Sequence, residues 1–493
     1  MHVAALRDEV SVGPRTVKAT QAGALVKLLT CGSVDDGKST LIGRLLWDAA
    51  GVTEDQRAAV ALASQNRAVN GEKIDFSLLL DGLQAEREQG ITIDIAWRYF
   101  ETPGRRFIII DSPGHEQYTR NMATGASHAD IAILLVDARH GAKRQTRRHA
   151  AICDLVGIKK VVLAVNKMDA VGWSEARYRE IERDFLAVAG SFNFAQVMTI
   201  PVAALTGDNV VYRSSAMPWY SGPTLLDYLE AVDPVAEPAD APFRLPVQLV
   251  QRAAGDFRGY AGTVTSGRIK VGDRIVDARS GLGATLRRIA TMDGDLSVAA
   301  KGAAVTLVHD TDLDISRGAV LSETARRPVN ADVIEARLVW LSETPFDPEA
   351  GYLLRTATDL TPVTSMSVSA LVDFETLAST PAHACGVNDI ADCRILLGRA
   401  TSLDLFRDLP STGNFVLVSA IDGATVAGGV ITWAQAGAPA VGDNVLVLNR
   451  ALLARGVCAD LGDSPADEAE FNRRAQEVAV LLRSAGVAVL IEL

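Results

Sequence analysis

Along the first half of the chain, short apolar runs alternate with stretches whose apolar residues recur at helical spacing. Ala24-Leu25-Val26-Lys27-Leu28-Leu29, Phe107-Ile108-Ile109-Ile110 and Val161-Val162-Leu163-Ala164-Val165 read as strands, whereas Leu41-Ile42-Gly43-Arg44-Leu45-Leu46 and the stretch from Ser174 to Phe185 read as helices. This alternation predicts βαβ units around a parallel sheet over residues 24–233. Residues 1–23 carry no such pattern and read as a loose extension. Pro234-Val235-Ala236-Glu237-Pro238-Ala239-Asp240-Ala241-Pro242 is a proline-rich linker, after which the texture changes. Short β-branched runs punctuated by glycine, such as Tyr260-Ala261-Gly262-Thr263-Val264-Thr265-Ser266-Gly267, predict two all-β barrels, at 241–328 and 331–434. A last α/β piece, 440–493, is expected to hold one amphipathic helix, with Val478, Leu481 and Leu482 beside Ala475 and Ala485, and one strand, Val487-Ala488-Val489-Leu490-Ile491.

The candidate chemistry sits where the predicted strands end. Gly32-Ser33-Val34-Asp35-Asp36-Gly37-Lys38-Ser39, followed by Thr40, has the spacing G-x-x-x-x-G-K-[ST] between a strand and a helix. In a P-loop the glycines let successive N–H groups face an anion, the lysine reaches the β- and γ-phosphates, and the serine hydroxyl meets Mg²⁺. The run Phe107–Ile110 ends in Asp111-Ser112-Pro113-Gly114-His115, which offers a carboxylate near Mg²⁺ and a Gly114 N–H for the γ-phosphate. The run Val161–Val165 ends in Asn166-Lys167-Met168-Asp169. The carboxylate of Asp169 matches the N1–H and 2-amino donors of guanine, a pair that adenine lacks, so the site should take GTP rather than ATP. Thr92 lies between the first helix and the Asp111 strand; it is either a Mg²⁺ ligand present only with the γ-phosphate or a β-branched strand residue.

With these motifs in this order, the chain resembles the translational-type GTPases, of which elongation factor Tu is the familiar member. Three longer runs, Asp75–Asp94, Ser112–Ser127 and Gln145-Thr146-Arg147-Arg148-His149, narrow the resemblance to the GTPase subunit of bacterial ATP sulfurylase, sulfate adenylyltransferase subunit 1. That resemblance implies a P-loop GTPase domain followed by two β-barrels, with GTP and Mg²⁺ as ligands and Ser39, Thr92 and Asp111 around the metal. It implies that His115 orients the attacking water while Lys38 neutralises charge on the γ-phosphoryl oxygens. Asp35 matches a residue that helps to bind a monovalent cation in related GTPases, and reads equally well as a solvated acid. The family's guanine-supporting Ser-Ala-Leu appears here as Ala203-Ala204-Leu205. The Ser hydroxyl is lost, and the Ala204 N–H is expected to meet guanine O6, which puts affinity rather than specificity in question.

The resemblance further implies a partner, the catalytic small subunit, which binds ATP and sulfate and makes adenylylsulfate and pyrophosphate. The stoichiometry is left open, including higher oligomers of heterodimers. Gly442-Asp443-Asn444-Val445 and the run from Leu461 to Ile491 resemble the middle of adenylylsulfate kinase without a P-loop of its own, so the tail reads as a degenerate remnant. Two other readings stay open: an elongation-factor-like carrier of tRNA, and a GTP-dependent scaffold without turnover.

Composition changes this picture in two places. A net charge of −11 and a pI near 5.3 disfavour a broad nucleic-acid surface, because phosphate backbones need clustered Lys and Arg. The five cysteines, Cys31, Cys153, Cys385, Cys393 and Cys458, are scattered and odd in number, as expected of thiols in a reducing cytosol. His383, Cys385 and Cys393 lack zinc-site spacing. No apolar stretch is long enough to span a bilayer, so a cytoplasmic protein without a membrane anchor is expected.

Overall fold

A computed structural model describes residues 25–49, 54–65, 74–80, 92, 94–234, 238, 240–252, 258–311, 313–436, 445–449, 453, 457–458, 460–462, 464–484 and 488–492. The expected extension at 1–23, and most of the Asp75–Asp94 run, lie outside the described residues.

The first domain is a six-stranded sheet of β1 (Leu25–Gly32), β2 (Ala96–Glu101), β3 (Arg106–Asp111), β4 (Ile131–Asp137), β5 (Lys160–Asn166) and β6 (Gln196–Pro201). The spatial order is β2-β3-β1-β4-β5-β6, with β2 antiparallel to β3 and the other neighbours parallel. Every residue of β4 is buried, as expected for a central strand covered by helices on both faces. The helices are α1 (Lys38–Ala49), α2 (Glu54–Gln65), α3 (Thr119–Ala126), α4 (Arg144–Leu155), α5 (Glu175–Ala189) and α6 (Leu225–Ala231). Ser174 caps α5 by accepting the Arg177 N–H. Helix α1 begins three residues before the apolar run at Leu41, because the P-loop itself supplies its first turn.

Eight strands between Arg244 and Glu323 form the sheet of the second domain. Its first strand also bonds the segment after Tyr260–Thr263, the Arg244 N–H donating to Ser266 O at 3.0 Å, which curls the sheet towards a barrel. In the third domain, Tyr352–Arg355 pairs with both Leu360–Val372 and Asn414–Ser419, and this double pairing closes six strands into a barrel. Arg244 is 2% exposed and forms a two-bonded ion pair with Asp404, both contacts 2.9 Å, joining the second domain to the third.

The third domain also packs on the first. Val339, Phe374, Ile390 and Val430 share one apolar core with the parallel sheet. Arg120 of α3 donates to the carbonyls of Leu341 and Thr425 at 3.3 and 3.1 Å.

In the tail, helix α7 (Pro465–Ser484) connects Val445–Asn449 to Ala488–Glu492, and the two strands pair in parallel. The expectation of one helix and one strand is thus corrected to two strands: Val445-Leu446-Val447-Leu448 becomes a strand only by pairing with a segment some forty residues away. The helix buries Phe471, Ala475 and Ala479 against Leu453 and Cys458, with Val478 at the margin of this cluster. The side chains of Leu481, Leu482 and Ala485 lie outside the described residues.

Candidate functional site

Four loops meet at the carboxyl ends of β1, β3, β5 and β6, where an open α/β sheet binds its ligand. The P-loop turns on two left-handed residues, Asp35 at φ +67° and Gly37 at φ +90°. A Cβ on Gly37 would collide with Asn166 Nδ2, so glycine is required both by conformation and by space. The Asp36 carboxylate accepts the Ser33 N–H at 2.8 Å and fixes the loop's curl. Burial is the largest influence on the Asp36 carboxyl and raises it, against the opposing effects of that bond and of Lys143.

Lys38 is 7% exposed, and its ammonium bonds Asp111 Oδ1 at 2.5 Å and Thr92 Oγ1 at 3.0 Å. The three sequence-predicted residues therefore converge. The two oxygens already gather around one positive charge, and with the Ser39 hydroxyl at the start of α1 they supply hard oxygen donors that fit Mg²⁺. Gly114 lies against the P-loop: a Cβ there would come 2.5 Å from Gly32 O and 3.3 Å from the Val34 nitrogen. Only glycine lets the Asp111 turn approach the loop backbone this closely. His115 follows, partly exposed, with its ring Nδ1 accepting the Gln117 N–H at 3.3 Å.

At the other end, Asn166 is a strut. Its Nδ2 donates to Asp36 O and its Oδ1 accepts the Ala204 N–H, each at 2.9 Å, tying the P-loop to the loop holding Ala203, Ala204 and Leu205. The Ala204 N–H, which the sequence offers to guanine O6, donates here to Asn166 Oδ1 and would serve O6 by sharing that bond. Lys167, left-handed at φ +62°, reaches back to Asp35 O. Asp169 is the second residue of the short helical turn Met168–Val171, with its side chain exposed at the mouth of the site. Ala203 is fully buried and Leu205 exposed. Val34 is exposed at the crest of the P-loop, and Thr40 is partly buried in α1.

The sequence reading missed Asp137 at the end of β4, although a strand-end carboxylate beside known loops was the available signal. Asp137 bonds Arg139 through both oxygens and lies 3.2 Å from Lys167 Nζ. Burial is the largest single influence on it and would raise its carboxyl. The hydrogen bonds from Arg139 and Lys167 together outweigh burial and hold it far below the carboxylate range. A buried anion is thus placed under the guanine loop lysine. Also unassigned by sequence is the polar cluster of α4: Gln145 Nε2 lies 2.9 Å from His149 Nε2, and Arg148 donates to Gln145 Oε1 at 3.1 Å.

Comparison with known proteins agrees with this geometry. Residues 24–238 match the elongation factor Tu GTP binding domain family, and residues 333–432 the GTP-eEF1A C-terminal domain-like family. The chain is 46% identical to sulfate adenylyltransferase subunit 1 of Colwellia psychrerythraea, covering 83% of this chain and 88% of that protein. It is 47% identical to the Teredinibacter turnerae protein of the same name, covering 84% and 89%. It is 44% identical to the bifunctional enzyme NodQ of a Rhizobium species, covering 95% of this chain and 81% of that protein.

Proposed function

The chain belongs to the sulfate adenylyltransferase subunit 1 family, and we propose that it is the GTP-hydrolysing regulatory subunit of a sulfate adenylyltransferase in sulfate assimilation. Its GTP turnover drives adenylylsulfate and pyrophosphate formation from ATP and sulfate on a partner, the catalytic small subunit. The observation that carries this reading is the junction of Lys38, Thr92 and Asp111 at one end of the sheet, with Asn166 bracing the guanine loops at the other.

In this reading the P-loop N–H groups of residues 33–39 and the Lys38 ammonium hold the β- and γ-phosphates. Mg²⁺, held by Ser39, Thr92 and Asp111, supplies further charge neutralisation when bound. His115 orients water for in-line attack on the γ-phosphorus, giving GDP and phosphate; the Gly114 N–H faces a γ-phosphoryl oxygen. Asp169 selects guanine, with Asn166, Lys167 and the Ala203–Leu205 loop holding its walls. Asp35, on the P-loop crest, accepts from Lys167 through its backbone carbonyl and needs no cation for that role. We infer a cytoplasmic setting, in which the five free cysteines stay reduced.

The test is reconstitution. The purified chain mixed with a sulfate adenylyltransferase small subunit should form adenylylsulfate from ATP and sulfate faster with GTP than without it. Equal yields with and without GTP would refute the coupling.

A further inference from the structure

The run Gln145-Thr146-Arg147-Arg148-His149 is not used by the nucleotide site itself, yet it joins that site to the third domain. Glu116 follows His115 in a short helical turn, and its Oε1 lies 3.0 Å from Arg148 Nη1. The Arg148 side chain is 7% exposed, and its guanidinium lies over the ring of Phe374 at 4.9 Å. Its neighbour Arg147 donates to Glu375 O at 2.7 Å, so the same face of α4 is fastened to the 374–375 segment of the third domain. A desolvated guanidinium is strongly destabilised when it loses its carboxylate, and among the described residues Glu116 is the carboxylate paired with Arg148. The third domain, by placing Phe374 over Arg148, sets where Glu116 must be.

A second contact holds the same residue from the other side. Asn388 Nδ2 donates to Glu116 O at 3.0 Å. Asn388 is left-handed at φ +69° in a turn closed by the Asp389 N–H to Gly386 O, and its own N–H donates to Trp340 O at 2.8 Å. The amide is therefore aimed by the barrel's own backbone. The Glu116 carbonyl also accepts from Thr119 Oγ1 at 2.7 Å, a contact within the first domain, so Asn388 adds the interdomain donor to an existing turn.

We propose that Arg148 and Asn388 are positioning residues for GTP hydrolysis, gripping Glu116 from two sides so that the third domain fixes the pose of the adjacent His115. The proposal rests on the reading of His115 as the group that orients the attacking water. Displacement of the third domain would then reach the hydrolytic residue without passing through the nucleotide loops.

The test uses the full-length chain and single-turnover hydrolysis at saturating GTP, with GTP affinity measured separately. Glu116→Ala, Asn388→Gly and Arg148→Met are compared; glycine removes the Asn388 amide without straining its left-handed backbone. Each should slow hydrolysis about tenfold with affinity within about twofold, and none should slow it further in a His115→Ala background, since groups acting through one residue are not additive. Should Arg148→Met not fold, the exposed Glu116→Ala tests the same contact. Unchanged rates in Glu116→Ala and Asn388→Gly beside a slowed His115→Ala overturn the clamp alone. So does full slowing that persists in the His115→Ala background. An unchanged rate in His115→Ala itself overturns the water-orienting reading, and the clamp falls with it.

Discussion

The two ends of the nucleotide site are built on different physical terms. At the phosphate end, charge is buried: Lys38 and Asp111 hold each other out of water with the half-buried Thr92 bonded beside them, and glycines at 37 and 114 are required by contacts that no side chain could accommodate. At the guanine end, the Asp169 carboxylate, which we propose recognises the base, stands exposed at the mouth, and the buried amide of Asn166 holds two loops in register. In the proposed site the phosphate end therefore sets whether nucleotide binds at all, and the guanine end which base is chosen. Substitutions should separate these two roles.

The largest effect is expected from Lys38→Ala. It leaves the Asp111 carboxylate buried without its cation, a loss of roughly 3 kcal/mol or more, and it removes the phosphate-binding charge. Titration calorimetry should find no measurable GTP or GDP binding, and wild-type affinity would remove the phosphate assignment. Next is Asp169→Asn, which exchanges an acceptor for a donor against guanine. GTP affinity should fall roughly tenfold to hundredfold, as for a charged hydrogen bond, while xanthine nucleotide binding improves; unchanged GTP affinity would remove the base-recognition assignment.

The buried end should also carry a pH signature. His149, close behind the phosphate loops, is pushed down from 6.5 to about 3, by burial first and then by the charges of Arg148 and Lys38. The folded protein keeps it neutral while the unfolded chain protonates it. Its contribution is complete above pH 6.5 and declines as pH falls towards 3, by no more than about 1.4 kcal/mol per pH unit. Thermal melts of His149→Gln should show a shallower loss of stability across that window than the wild type; an identical slope would contradict the burial argument. The smallest effect is expected from Ala203→Ser, which restores the hydroxyl of the related GTPases and should tighten guanine nucleotides by less than about tenfold, a single hydrogen bond's worth. Weaker binding would mean that the buried hydroxyl finds no partner at this position.

Much of where the site's loops sit was legible because the residues that build each loop are local. The P-loop, Asp111 and the Asn166–Asp169 turn each combine an apolar strand with the polar groups at its end, and strand, turn and helix boundaries follow from the same few residues. What was not legible depends on distant pairing. The engagement of the Ala204 N–H by Asn166 joins residues 38 apart, and the Asn388 contact with Glu116 joins residues 272 apart. No periodicity or motif encodes such contacts: the first is set by how two loops of the first domain meet, the second by how the third domain seats on it. Asp137 is intermediate: its strand was visible, but its importance depends on Arg139, two residues on, and on Lys167 arriving from the loop after β5. The tail shows the same limit, since Val445–Asn449 becomes a strand only beside Ala488–Glu492.

The central claim is that GTP hydrolysis at His115 drives adenylylsulfate formation on the partner subunit. The most direct measurement follows both products, GDP and adenylylsulfate, in the reconstituted complex carrying His115→Ala. GTP binding should persist, hydrolysis should slow by roughly 10²-fold or more, and GTP-dependent adenylylsulfate synthesis should fall in proportion. Synthesis at the wild-type level while hydrolysis collapses would contradict the account.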